Sequence, residues 1–222
     1  MSEWWTYTPA DFLMFSSRTY WRLVALYNEA VWPWHFVAIG VGCVVLKCVT
    51  HPTAQRRRIA MLLLMVAWAW IAWAYHMQRY GDISTAAPYF AIAFAIQALL
   101  LCFLAVKGKD GVAGKPENCI GLVILVLAVF AYPLLAPASG RPLNQAEVVG
   151  ISPDPTVIAT LAVLLTTRMH WSAWMIPLVW CVVSAATLVE LRVPHAWLLP
   201  VVGTVSVVAG LSRRRSSGLS SD

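Results

Sequence analysis

The sequence predicts an all-α protein: a polytopic membrane helix bundle of about seven transmembrane helices, preceded by short interfacial amphipathic helices. Three observations lead there. Of the 222 residues, 60% are hydrophobic and only 12% charged, against about a quarter charged in ordinary soluble domains. The apolar residues gather into stretches close to the ~20 residues that a helix needs to cross hydrocarbon. Lysine and arginine fall in alternation on the polar segments between those stretches, so that one side is rich in them and the other poor.

Residues 1–30 precede the first stretch and read as outer-surface interfacial helices. Thr8-Pro9-Ala10-Asp11 has a capping threonine, proline at the first helical position and an acid two residues further on, the pattern of a helix start. Ser17 then opens a second helix in which Tyr20, Leu23, Val24, Tyr27 and Val31 share one face while Arg18, Arg22 and Glu29 lie elsewhere. Such a helix suits the membrane surface, with Trp4, Trp5, Trp21, Trp32 and Trp34 at headgroup depth. Glu3 and neighbouring aromatics stand where a signal peptide would carry positive charge, so the segment reads as part of the mature protein.

The bundle is expected over residues 31–212. Its spans fall at 31–49, 59–77, 88–106 and 119–136, followed by three shorter or proline-interrupted stretches at 153–167, 174–191 and 195–211. A six-span alternative drops the fifth. Ala38 with Gly42, and Ala91 with Ala95, put small residues four apart where helices can approach closely. Residues 213–222 form a basic, serine-rich tail. One set of connections holds Arg56, Arg57, Arg58, then Lys107, Lys109, Lys115, then Arg168, then Arg213, Arg214, Arg215. The other set carries most of the acids. By the excess of cations in cytoplasmic loops, the N-terminus is expected outside and the C-terminus inside.

A net charge of +6 does not point to nucleic acid, because the cations sit in short clusters between apolar runs and form no basic face. The five cysteines form no Cys-x-x-Cys pair and lie in or beside apolar runs, which argues against a disulfide framework or structural zinc. Residues 195–211 contain no lysine for a retinal Schiff base. No Gly-x-Ser-x-Gly, His-Glu-x-x-His or phosphate-cradling glycine loop is present.

Candidate functional groups concentrate in the outer half. His35 early in the first span, His76 late in the second and His195 at the start of the last share one depth, within reach of Glu147 and Asp154 in the longest outer loop. Imidazoles with a carboxylate can ligate a metal, and a facing pair can ligate haem. Histidines that merely bond to loops are the commoner case, so metal and haem stay secondary, and the cofactor is left unknown. Trp73, Arg79 and Tyr80 lie three and four residues from His76 on the same helix and would form a mouth suited to a small anion or cation; an aromatic belt with a snorkelling arginine is the alternative. Gln97, midway along the third span, must face another helix, as packing glue or as part of a transport path. Asp154, between Pro153 and Pro155, can cap the fifth helix.

The opening Glu3-Trp4-Trp5-Thr6-Tyr7-Thr8, Asp11-Phe12-Leu13, Ser17-Arg18-Thr19-Tyr20 and Leu26-Tyr27-Asn28 resembles a family of bacterial multi-pass membrane proteins known only as a domain of unknown function. His76 with Tyr80, Ala86-Ala87-Pro88-Tyr89-Phe90, Tyr132-Pro133-Leu134-Leu135, Gln145-Ala146-Glu147 and Pro153-Asp154-Pro155-Thr156 extend the resemblance over most of the chain, with Ile83-Ser84 where that family more often has Ile-Asn. The resemblance implies a bacterial inner membrane location and supplies no activity. The leading expectation is therefore a bundle that binds or transports a small solute or ion at its outer face, through His35, Trp73, His76, Arg79, Tyr80, Gln97, Glu147 and Asp154. A metal- or haem-dependent redox protein using His35, His76 and His195, and an accessory subunit of a larger membrane complex, are the alternatives. The expected partners are the lipid bilayer, a small solute or ion, and a second copy or larger complex, with no nucleic acid.

Overall fold

The computed structural model describes residues 15–107, 115–167 and 171–218. Trp4, Trp5, the Thr8 helix start, Lys109 and Arg168 lie outside them. Among the described residues eight α-helices longer than a single turn follow in order, with one further turn of helix at Leu135–Ala138. The eight are α1 Ser17–Ala30, α2 Trp34–Thr50, α3 Ala54–Trp70, α4 Ala87–Lys107, α5 Lys115–Val126, α6 Pro153–Thr166, α7 Ser172–Glu190 and α8 Leu198–Gly218. A π-helical segment Ile71–Met77 prolongs α3, and another at Leu127–Ala131 prolongs α5.

Each predicted stretch is a helix, but length does not carry a count of seven crossings. Among the described residues four helices are long and apolar enough: Ala54–Asp82, Ala87–Lys107, Asn118–Ala138 and Ser172–Glu190. The pair α1 and α2, bent by 89°, brings the number to five if taken as one span. At 14 residues, α6 reaches about 21 Å, short of the ~30 Å hydrocarbon core. All of its residues are buried, because α3, α5, α7 and α8 all pack against it. A helix apolar on every face belongs inside a bundle, and composition alone does not separate that from a short span.

The right angle between α1 and α2 lays α1 across one end of the bundle. Its predicted apolar face, Tyr20, Leu23, Val24, Tyr27 and Val31, is buried, yet against protein and not lipid. Trp21, expected at headgroup depth, is buried under the Arg141 guanidinium, 3.5 Å from its ring. Trp32 and Trp34 are exposed. The cap is Ser16, one residue before the expected Ser17, its hydroxyl accepting from the Thr19 amide at 3.2 Å. At the other terminus α8 continues to Gly218, past the boundary expected at 212, since arginine and serine do not stop a helix.

Close approach holds the layers together. A Cβ on Gly121 would fall 2.7 Å from Thr166 Cγ2 and 2.8 Å from the Ala162 carbonyl oxygen, so α5 crosses α6 where only glycine fits. Gly42, one of the small residues singled out in the sequence, meets Val129 in the same way at 3.0 Å.

Gln97 resolves a backbone problem. Pro177 lies inside α7 and has no N–H to give the carbonyl four residues earlier. That carbonyl belongs to Ala173, and it accepts from Gln97 Nε2 at 3.0 Å across the α4–α7 contact. Gln97 thus serves as packing glue through its amide nitrogen, while its buried amide oxygen has no hydrogen-bond partner. Gln97→Leu should cost about 1–3 kcal/mol through the orphaned carbonyl, read as a lowered Tm. The cost should shrink in a Pro177→Ala background, where the helix supplies its own donor.

Candidate functional site

The end covered by α1 is closed a second time by the segment before α6, which runs exposed through residues 142–144 and tucks into the mouth of the bundle over residues 147–152. Gly150, with φ +89°, passes between Ala38 and Ala67, 3.8 and 3.9 Å from a Cβ placed on it, a conformation glycine adopts without penalty. A buried segment must satisfy its backbone groups locally. Asn28 Nδ2 donates to the Asn144 and Ala146 carbonyls, both at 2.8 Å, and the Tyr27 hydroxyl donates to the Ile151 carbonyl at 3.2 Å. Thr156 Oγ1 accepts from the Gly150 amide and donates to the Ser152 carbonyl, and Ser152 Oγ accepts from the Val148 amide.

This tuck sets the start of α6 inside the bundle and delivers Asp154, only 3% exposed, to the helix interior. Its carboxylate does not cap α6, as the sequence suggested; Ser152 is the cap residue. The carboxylate instead accepts three side-chain hydrogen bonds. Trp180 Nε1 reaches Oδ1 at 2.8 Å, Ser184 Oγ reaches Oδ2 at 2.7 Å, and the Tyr132 hydroxyl reaches Oδ2 at 3.2 Å. Trp180 and Ser184 share a face of α7 at four-residue spacing. They lie ten and six residues before its end at Glu190, about 15 and 9 Å below that end at 1.5 Å per residue. The α6 N-terminus adds a favourable dipole.

Aromatic rings surround this carboxylate. A cavity of about 20 Å³ is lined by Asp154, Ser184, Tyr20, Tyr75, Tyr80, Phe90 and Trp180, with Val183, Thr187 and Leu188, which is room for about one water molecule. Tyr75 and Tyr80 stack at 5.9 Å, and Phe90 meets Trp180 edge to face at 5.3 Å.

The expected constellation is assembled in part. Tyr80 and Asp154 meet at the cavity. His76 lies behind its wall, 0% exposed, ringed by Phe94 at 4.6 Å, Trp180 and Tyr75 at 5.2 Å, Phe90 at 5.9 Å and Tyr80 at 6.0 Å. Neither of its ring nitrogens has a hydrogen-bond partner. His35 Nε2 bonds to Asn28 Oδ1 at 3.3 Å, and His195 Nδ1 lies 3.5 Å from Ser139 Oγ. Among the described residues no three His, Cys, Asp or Glu side chains group to hold a metal. The three histidines have separate surroundings, and His76 presents no open face to a haem. Trp73, expected at the mouth, is 63% exposed and lines an apolar surface groove of about 510 Å³ with Ala72, Ala91 and Ala95. The π-helical turn through Ile71–Met77 alters the helical spacing on which its predicted place beside His76 rested. Arg79 is half-buried, and its charge acts on the Tyr27 hydroxyl.

Tyr20, Tyr75, Phe90, Tyr132, Trp180 and Ser184 were not among the site residues expected from the sequence. Trp180 and Ser184 lie four residues apart on one helix face, which lets them share a partner, but neither residue type is unusual in an apolar span.

Glu147, in the tucked segment, is also buried. Burial, reinforced by the charge of Asp154, pushes its carboxyl up to about 8, and the Arg141 guanidinium opposes the shift. A carboxyl raised in the folded state favours folding while it stays protonated. That stability is full below the ordinary value of 4.5 and is lost as pH rises through about 8. Tm should accordingly fall across that window, and Glu147→Gln, which keeps a neutral side chain, should reduce the fall; an unchanged slope would mean that Glu147 is solvated.

No curated protein and no solved structure matches the chain. A family of unknown function, DUF6064, matches residues 17–221, which include every residue of the tucked segment, the Asp154 site and its aromatic wall. The opening Glu3–Thr8 motif lies ahead of that match. The chain is thus a helical, membrane-type protein that belongs to the DUF6064 family of unknown function.

Proposed function

We propose that the protein binds a small solute or ion in the Asp154 pocket and moves it across a bacterial inner membrane, with the α1-capped end outside and the C-terminus in the cytoplasm. The observation that carries this reading is the Asp154 carboxylate itself. It is enclosed among apolar helices and held by three donors, beside a cavity of about 20 Å³. Ionisable groups inside membrane bundles are expensive and concentrate on substrate, ion and proton paths. A short helix whose N-terminus lies at a polar site inside the bundle supports the reading, because transporter sites place half-helix N-termini in the same way. Two π-helical segments, at Ile71–Met77 and Leu127–Ala131, lie on the helices that supply Tyr75 and lead to Tyr132, and such segments recur at functional sites. The orientation is supported by Arg56, Arg57 and Arg58 at the start of α3, the end opposite α1.

Uptake into proteoliposomes, assayed over small cations, anions and neutral metabolites, tests the reading. At least one solute should accumulate in the wild type, and Asp154→Asn should lower its rate by a factor of about 100 or more while the protein remains folded. A folded Asp154→Asn protein with wild-type uptake would make Asp154 structural. A flat wild-type response to every solute would remove transport.

A further inference from the structure

We infer that the Asp154 pocket selects a compact ammonium-type cation, ammonium itself or a primary methylamine, over anions, neutral solutes and larger quaternary amines. The inference rests on the reading of this pocket as a solute site and specifies the ligand class.

Three features converge. The first is charge. Among the described residues, Asp154 is the one carboxyl on the cavity wall, and no basic side chain lines it. An ionised carboxylate offers about four lone-pair directions; Trp180, Ser184 and Tyr132 occupy three. One acceptor direction is left for a donor arriving from the cavity.

The second feature is the wall. Tyr20, Tyr75, Tyr80, Phe90 and Trp180 all border the same small space. Their rings are set at varied angles: the Tyr20 and Tyr80 planes are nearly perpendicular, as are those of Phe90 and Trp180. A cavity bordered by differently oriented rings with an acid at one side is the arrangement that attracts ammonium groups, through ring quadrupoles and one charge-assisted hydrogen bond. Sodium is the competing cation, since Asp154, Ser184 and Thr187 also bring oxygens to this wall, and the titration below separates it from ammonium. An anion would meet Asp154 with no compensating cation.

The third is size. About 20 Å³ holds one water-sized body. Ammonium matches that volume, methylammonium needs a modest adjustment of side chains, and tetramethylammonium does not enter.

Thermal unfolding of the detergent-purified full chain, titrated with single salts at constant ionic strength, tests this. Ammonium and methylammonium chloride should raise Tm saturably; sodium chloride, tetramethylammonium chloride, sodium acetate and formamide should not. Asp154→Asn should abolish the ammonium shift. Phe90→Leu, which leaves the carboxylate and its donors in place, should weaken ammonium binding roughly three- to tenfold by removing one ring, and it serves as the test if the Asn variant does not fold. A saturable, Asp154-dependent shift with acetate, formamide or sodium in place of ammonium would overturn the cation assignment and leave the solute site standing. A larger shift with tetramethylammonium would overturn the size argument and with it the inference. Absence of any ammonium shift, with uptake of some other solute dependent on Asp154, would overturn the inference alone. Absence of both would remove the inference and the functional reading together.

Discussion

Burying a carboxylate among apolar helices costs several kcal/mol unless protein donors replace the water it loses, and much of the capped end is arranged around meeting that requirement at Asp154. Tyr132 arrives at the end of the π-distorted α5, and Trp180 and Ser184 arrive from a single face of α7. For all three to reach one side chain, α6 has to begin inside the bundle, so the preceding segment has to be tucked in with its backbone satisfied. Asn28 and Tyr27 of α1 supply part of that satisfaction. The right-angled α1 is thus tied to the buried acid through the segment it holds down.

The aromatic wall follows from the same placement. His76, Phe94 and Trp180 form a continuous set of edge-to-face contacts, and Trp180 uses its ring for that packing while its N–H holds Asp154. A residue that joins an apolar cluster to a polar one in this way is rigid in both roles, which keeps the carboxylate donors fixed without help from water. His76 contributes as a flat, sealed ring. Glu147, outside the spans, is linked to the site through charge alone, with Asp154 raising its carboxyl and Arg141 opposing the shift.

Much of the fold was legible in the sequence because its signals are local. Apolar runs marked every bundle helix, the buried face of α1 was read from 3.6-residue periodicity, and Ala38 with Gly42 flagged a close crossing. The crossing number was not legible, since an apolar stretch of 14 residues looks the same whether it spans lipid or is wrapped by other helices, and only packing shows that α6 is wrapped. The site was half legible. Asp154, Glu147, His76 and Tyr80 stood out as polar or aromatic residues near span ends. Tyr132, Trp180 and Ser184 did not, because aromatics and serines are ordinary in membrane helices and their shared target is distant in sequence. Trp73 was misplaced because a π-helical turn breaks the three- and four-residue spacing from which neighbours are inferred. Gln97 was rightly placed facing another helix, and its partner could be reached from Pro177, whose missing N–H leaves a carbonyl free four residues earlier.

The central claim is that Asp154 is a working group and not a structural peg. Infrared difference spectroscopy on the membrane-reconstituted protein, recorded with and without ammonium, addresses it most directly. The account predicts a change in the carboxyl region on ligand addition that disappears in Asp154→Asn and persists in Glu147→Gln. A spectrum without any carboxyl change in a wild-type sample saturated with a transported solute would contradict it, leaving Asp154 as a buried acid that only joins α5, α6 and α7.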